Sequence, residues 1–93
     1  MSYPVVFKAS AAREFSRLPR QAQLRFLYAF GLLSKSPTRP SPQLNTRQMR
    51  GHAGFWRVAV GPWRAVYHFD GVTIRFYIFG HRATVYTQFE STR

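Results

Sequence analysis

The stretch FWRVAVGPWRAVYHFDGVTIRFYIFGHRATVY, Phe55 to Tyr86, decides how this chain folds. Gly61-Pro62, Asp70-Gly71 and Gly80 are turn signals, and the runs between them are rich in β-branched and aromatic residues, which predicts strands over 55–61, 63–70, 72–79 and 83–89. Asp-Gly between apolar runs predicts a type I′ hairpin, and all four strands are expected to be neighbours in one mostly antiparallel sheet. Period-two alternation sends Trp56, Val58, Val60, Ala65, Tyr67, Phe69, Val72, Ile74, Phe76, Ile78, Ala83, Val85, Thr87 and Phe89 to one face. The opposite face receives Arg57, Arg64, His68, Arg75, Tyr77, Tyr86 and, where the last strand begins early, Arg82. Val66 and Phe79 also fall there, so a bulge or a covering partner is expected.

Outward from this stretch, Tyr3 to Lys8 reads as a strand, with Pro4 marking a sheet edge or a strand start. Ser10 is placed to cap a helix over 11–18 whose apolar face is Ala11, Phe15 and Leu18. Pro19 ends it, and a second helix begins near Arg20 with Ala22, Phe26, Ala29 or Phe30, and Leu33 as its buried stripe. Leu24, Leu27 and Tyr28 are expected to widen that stripe. Three prolines between Ser36 and Pro42 predict an extended connector. Leu44 to Gly54 then reads as a mobile loop bringing Arg47, Arg50 and His52 beside the first central strand, with charges able to touch phosphate. The class is α+β in the order β-α-α-β-β-β-β, with one domain over 1–93, because the residues from Gln43 on are too few for a second core.

Charge points to the partner. The 93 residues carry 14 Lys+Arg against 3 Asp+Glu, a net charge of +11, and only Lys8 and Lys35 of the cations are lysine. Such a surplus fits a polyanion. With no cysteine, disulfides, thiolate nucleophiles and cysteine-bound metals are excluded. Met1 to Pro4 lacks a signal-peptide start, and Phe26 to Leu33 is far short of the ~20 residues needed to span a bilayer. The expectation is a cytoplasmic protein without a membrane partner.

The three carboxylates, Glu14, Asp70 and Glu90, are scattered, which argues against a metal-dependent nuclease or a paired-carboxylate hydrolase; no metal site and no cofactor are expected. Metal-free RNA cleavage remains, because the substrate's own 2′-hydroxyl attacks the adjacent phosphate once a base takes its proton and cations stabilise the crowded anion. Arg57, Arg64 and Arg82 suit bidentate phosphate contacts, and Arg47, Arg50 and Arg75 can add others. Tyr86 or His81 is the candidate for proton transfer; a phenol serves as a base only where nearby cations favour its phenolate. His52 and His68 read as surface residues, and Trp56 and Trp63 as packing.

These residues carry a resemblance. Ala12-Arg13-Glu14-Phe15 with Leu18-Pro19, Phe55 to Gly61, Trp63 to Tyr67 and Gly80 to Tyr86, in this order and spacing, resemble the RelE/ParE superfamily of bacterial and archaeal type II toxins. The resemblance implies two N-terminal helices on a curved antiparallel sheet and an acidic antitoxin partner through which the protein assembles. In its RelE branch it implies entry into the ribosome and metal-independent cleavage of mRNA. Arg64, Arg82, Tyr86 and His81 would then be catalytic, and Arg57 would bind the RNA backbone. Ala59 departs from the pattern, which commonly has Lys or Arg there, and few residues follow Phe89 where some relatives carry a terminal helix. A ParE-like toxin acting on DNA gyrase and a non-catalytic basic nucleic-acid-binding module are the alternatives.

Overall fold

Pro19 divides the N-terminal third into two helices, since its ring cannot continue a helix but suits the start of the next. In the computed structural model, which describes residues 2–38 and 44–92, these are α1 (Ala9–Ser16) and α2 (Arg20–Leu33). Helix α1 starts earlier than expected: Lys8 is the capping position, Ser10 lies inside the helix, and no side chain caps it. Its other end is better served. The Gln23 amide of α2 donates toward the carbonyls of Phe15 at 3.0 Å and of Ser16 and Leu18 at 3.1 Å, acceptors that a helix terminus leaves unpaired. Helix α2 buries Ala22, Phe26, Ala29, Phe30 and Leu33, whereas Leu24, Leu27 and Tyr28 are more than half exposed rather than part of the stripe.

The sheet has strand order β1-β5-β4-β3-β2. Strand β1 (Val5–Phe7) runs parallel to β5 (Ile74–His81), and the pairs among β2 (Asn45–Gln48), β3 (Phe55–Val60), β4 (Trp63–Phe69) and β5 are antiparallel. Strand β2 replaces part of the loop expected over 44–54. Its ladder with β3, not a hydrophobic alternation of its own, makes it a strand. Part of the proline-rich connector, residues 39–43, lies outside the described residues.

Both hairpin turns follow their sequence signals, one with a correction. Gly61 has φ +56 and Pro62 follows with its ring-fixed negative φ, the sign pattern of a type II′ turn. At the other turn Gly71 has φ +96 but Asp70 does not have positive φ, so a type I′ turn is excluded. Instead the Asp70 carboxylate accepts the N–H groups of Val72 and Thr73, each at 2.8 Å. The loop is longer, β5 starts at Ile74, and Val72 is 66% exposed rather than in the core.

The principal core lies between the sheet and the α1–α2 pair. Phe26, Phe30, Phe76 and Phe79 are at most 8% exposed, and their rings meet at centroid separations from 4.7 Å for Phe30–Phe76 to 6.2 Å, the range in which aromatic pairs attract. Tyr67 is fully buried among them and donates its hydroxyl to the Pro37 carbonyl at 2.7 Å. Burial holds its phenol in the neutral form, with a pKa well above the usual range.

A bulge in β5 separates this core from a second one. Val66 pairs with Ile78 and Tyr67 with Phe76, so Tyr77 is the additional residue. The side-chain alternation reverses across it: Phe79 returns to the helix side, and Ile78 moves to the opposite face beside Val66. Glu14 of α1 accepts the Phe79 N–H at 3.1 Å.

The segment expected as a last strand is a helix, α3 (Val85–Thr92). A turn at His81 starts it: Thr84 N–H donates to the His81 carbonyl at 3.0 Å and Ala83 N–H to His81 Nδ1 at 3.1 Å. Val85 and Phe89 are buried against Val66 and Ile78, whereas Ala83 and Thr87 are exposed. The apolar patch predicted on the arginine face is therefore covered by the chain itself, and a terminal helix is present after all.

Candidate nucleic-acid interface

Two cross-strand rows build the open part of the arginine face. Residues directly opposite in an antiparallel pair point to the same side, which aligns Asn45, Ala59, Arg64 and Gly80 in one row. Arg47, Arg57, Val66 and Ile78 form the next. Helix α3 packs on the Val66–Ile78 end and passes close to Gly80, where an added methyl would be in van der Waals contact with Val85 at 3.4 Å. The remainder is an open cleft of about 350 Å³. Arg47 of β2, Arg57 of β3, Arg64 of β4, Arg82 after β5 and Tyr86 of α3 all line it.

Each of these side chains is held by a different device. Arg64 donates Nη1 to the Gly61 carbonyl at 2.7 Å and to the Trp63 carbonyl at 2.9 Å, so the β3–β4 turn fixes its guanidinium without cancelling its charge. The same turn accepts the Arg82 N–H through the Pro62 carbonyl at 2.9 Å, tying the end of β5 to it. The Arg57 guanidinium lies over the Tyr86 ring, 5.3 Å from its centroid, a cation–π contact worth about 0.5–1 kcal/mol at an exposed site. Val85 and Phe89, buried on either side of Tyr86 in sequence, anchor the helix that carries it. Among the described residues, no Asp or Glu lines the cleft. The cationic field there has no internal counter-charge, which favours a polyanion.

The remaining candidates stand elsewhere. His81 shares a face with Trp63, its cross-strand partner, and its ring meets the indole edge-on at 5.6 Å; it is not among the cleft residues. Arg75 is exposed opposite His68, beyond the Val66–Ile78 row, and Arg50 follows β2 in a separate depression shared with Met49 and His52. His52 is no surface residue: its side chain is 10% exposed, its Nε2 lies 3.3 Å from Glu90 Oε1, and its ring packs edge-on against Phe55 and Phe89. It fastens the β2–β3 loop to α3. His68 is half-buried and its ring lies tilted against Phe55, 4.7 Å between centroids. Gly54, with φ +79, must be glycine on two counts, because a Cβ there would lie 2.6 Å from His68 Nε2. Sequence reasoning missed Asn45, since the polar run 45–48 carries no strand signal. Among the described residues, no group of three or more His, Asp or Glu side chains is placed to hold a metal ion, and no helix is long and apolar enough to cross a membrane.

This arrangement of helices and sheet recurs in solved toxin structures. A mutant Escherichia coli RelE toxin in the free state superposes with a TM-score of 0.80 at 18% identity, covering 99% of this chain and 94% of that one. The RelB–RelE antitoxin–toxin complex of Methanococcus jannaschii gives 0.75 at 19% identity over 90% and 98%. The toxin–antitoxin complex RelBE2 of Mycobacterium tuberculosis gives 0.72 at 28% identity over 88% and 100%. No family model and no curated protein sequence matches the chain. The chain has the RelE-like α+β toxin fold.

Proposed function

We propose that this protein is the toxin of a type II toxin–antitoxin system and cleaves mRNA on the ribosome without a metal ion. The observation that carries the reading is the cleft itself: four arginines and one tyrosine, brought from three strands, a turn and a helix, with no carboxylate among them. A scissile phosphate needs donors on its non-bridging oxygens and charge that rises to meet the pentacoordinate anion. Arg64 and Arg82 supply these at the Gly61-Pro62 turn, while Arg57 and Arg47 hold the flanking backbone. Tyr86 is the group for proton transfer, because it alone in the cleft both donates and accepts through an ionisable oxygen. His81 has no such place, being turned toward Trp63.

The partner implied by a +11 chain is acidic, and the solved relatives from M. jannaschii and M. tuberculosis are complexes with antitoxins. An antitoxin with both acidic and apolar residues would find the cleft on one side and the exposed Leu24, Leu27 and Tyr28 of α2 on the other.

Incubation of the purified protein with programmed ribosomes tests the reading. Cleavage of mRNA that persists in EDTA is expected, and Arg64→Ala should slow it by about 10²–10³-fold. Intact mRNA, undiminished cleavage by the Arg64→Ala, Arg82→Ala double variant, or gyrase-dependent DNA breaks with intact mRNA would overturn it.

A further inference from the structure

The cleft contains one amide, whose carbonyl is an acceptor that a phosphate has no use for. Arginine has five N–H donors and no acceptor, which is what a phosphodiester requires. Asn45 brings an amide carbonyl as well as an NH2 group, and among the described residues its oxygen is the only side-chain acceptor in the cleft besides the Tyr86 hydroxyl. Among the described residues no partner occupies this amide. It is exposed at the cleft edge, on β2, directly opposite Ala59, which is itself directly opposite Arg64.

The two rows of the cleft therefore differ in chemistry. The Arg47–Arg57 row is cationic throughout its open part. The neighbouring row runs amide, methyl, guanidinium, with Cβ atoms of adjacent members about 5 Å apart. The Ala59 methyl leaves a low apolar floor between two polar walls, where a long cationic side chain would fill the space and supply only more donors. A flat heteroaromatic ring fits such a floor with its edge against the amide. Among the bases, adenine presents an amino donor beside a ring-nitrogen acceptor, the edge that an Asn amide pairs with in bidentate fashion. Guanine presents two acceptors on the same edge and matches arginine instead.

We propose that Asn45 is a specificity-determining residue that reads the edge of an adenine seated on Ala59, next to the phosphate held by the arginines. The inference rests on the cleft being an RNA site. The expected preference for adenine over the other bases at that position is about fivefold, the low end for a bidentate amide–base contact.

Binding of short 2′-O-methylated RNAs, which cannot be cleaved by their own 2′-oxygen, tests this without depending on turnover. Oligomers carrying each of the four bases at one position in a uridine background are titrated against the wild type, Asn45→Ala, Asn45→Gln and Arg47→Ala. The wild type should favour adenine, and Asn45→Ala should bring the adenine oligomer down to the level of the others. Asn45→Gln should recover part of the difference, and Arg47→Ala should weaken all four alike. A wild type that binds all four equally, or an adenine preference that survives Asn45→Ala, overturns the role of Asn45 and leaves the RNA cleft standing. A wild type that binds none of the oligomers overturns both.

Discussion

The two faces of the sheet use the same strands for different ends. On the α1–α2 side, buried aromatic rings from α2, β4 and β5 interlock with the partly buried Phe7 of β1 and Phe15 of α1. On the other side, among the described residues, Val66, Ile78, Val85 and Phe89 form a buried cluster with Met49, Phe55 and Tyr77 packed partly buried against it, and the part of the face over β2, β3 and the β3–β4 turn is open and cationic. The larger face supplies most of the stability through apolar burial. The smaller one holds a single short helix at the height where Tyr86 meets Arg57. A small, separate core suits that task, because its loss releases the helix without opening the domain.

The largest effect expected is on the first face. Phe26, fully buried and in contact with the rings of Phe30 and Phe79, should cost about 3–5 kcal/mol as Phe26→Ala, measured by denaturant unfolding, with a comparable loss at all pH values near neutrality. Phe89→Ala probes the second face. It should melt α3 selectively, so that amide exchange over 85–92 loses protection and cleavage falls, while the thermal midpoint drops less than in Phe26→Ala. Equal drops in midpoint would show that the two cores are one cooperative unit.

The smallest effect concerns the turn that joins the strands serving both faces. Hydrogen bonds from the Thr73 and Val72 N–H groups lower the Asp70 pKa below its ordinary value near 3.8. A lowered folded-state pKa means stability that is present above the unfolded value and is lost as pH falls through the folded one. Asp70→Asn should therefore be less stable than the wild type at pH 7, with the gap closing below about pH 4. A gap unchanged at pH 2 would assign the effect to shape and not to charge.

The elements legible in the sequence are those whose periodicity and punctuation agree. Strands β3 and β4 fall within a residue of their expected bounds, since Phe55 to Val60 and Trp63 to Phe69 alternate cleanly on either side of Gly61-Pro62. Helix α2 begins where Pro19 dictates. The misreadings have separate physical causes. Val85 and Phe89 are four apart, a spacing that faces inward under both strand and helix periods, so their burial is legible while the element that carries them is not. The bulge at Tyr77 leaves no mark in composition, and without it Ile78 and Phe79 exchange faces. His52 reads as exposed because the helix that covers it has no distinct signal. In the cleft, period two brings Arg57 and Arg64 to one side correctly. Asn45 and the company of Arg47 depend on β2, a strand that exists because β3 offers it a ladder.

Strand β2 is also one edge of the sheet, with β1 at the other. An edge with unpaired N–H and C=O groups is a template on which other copies can stack. Asn45-Thr46-Arg47-Gln48 contains no apolar side chain to make such stacking adhesive, and its arginine repels the same arginine in another molecule. The feature that hides β2 from a hydropathy reading is thus a guard against fibre formation, set on the border where the sheet would otherwise be open to growth.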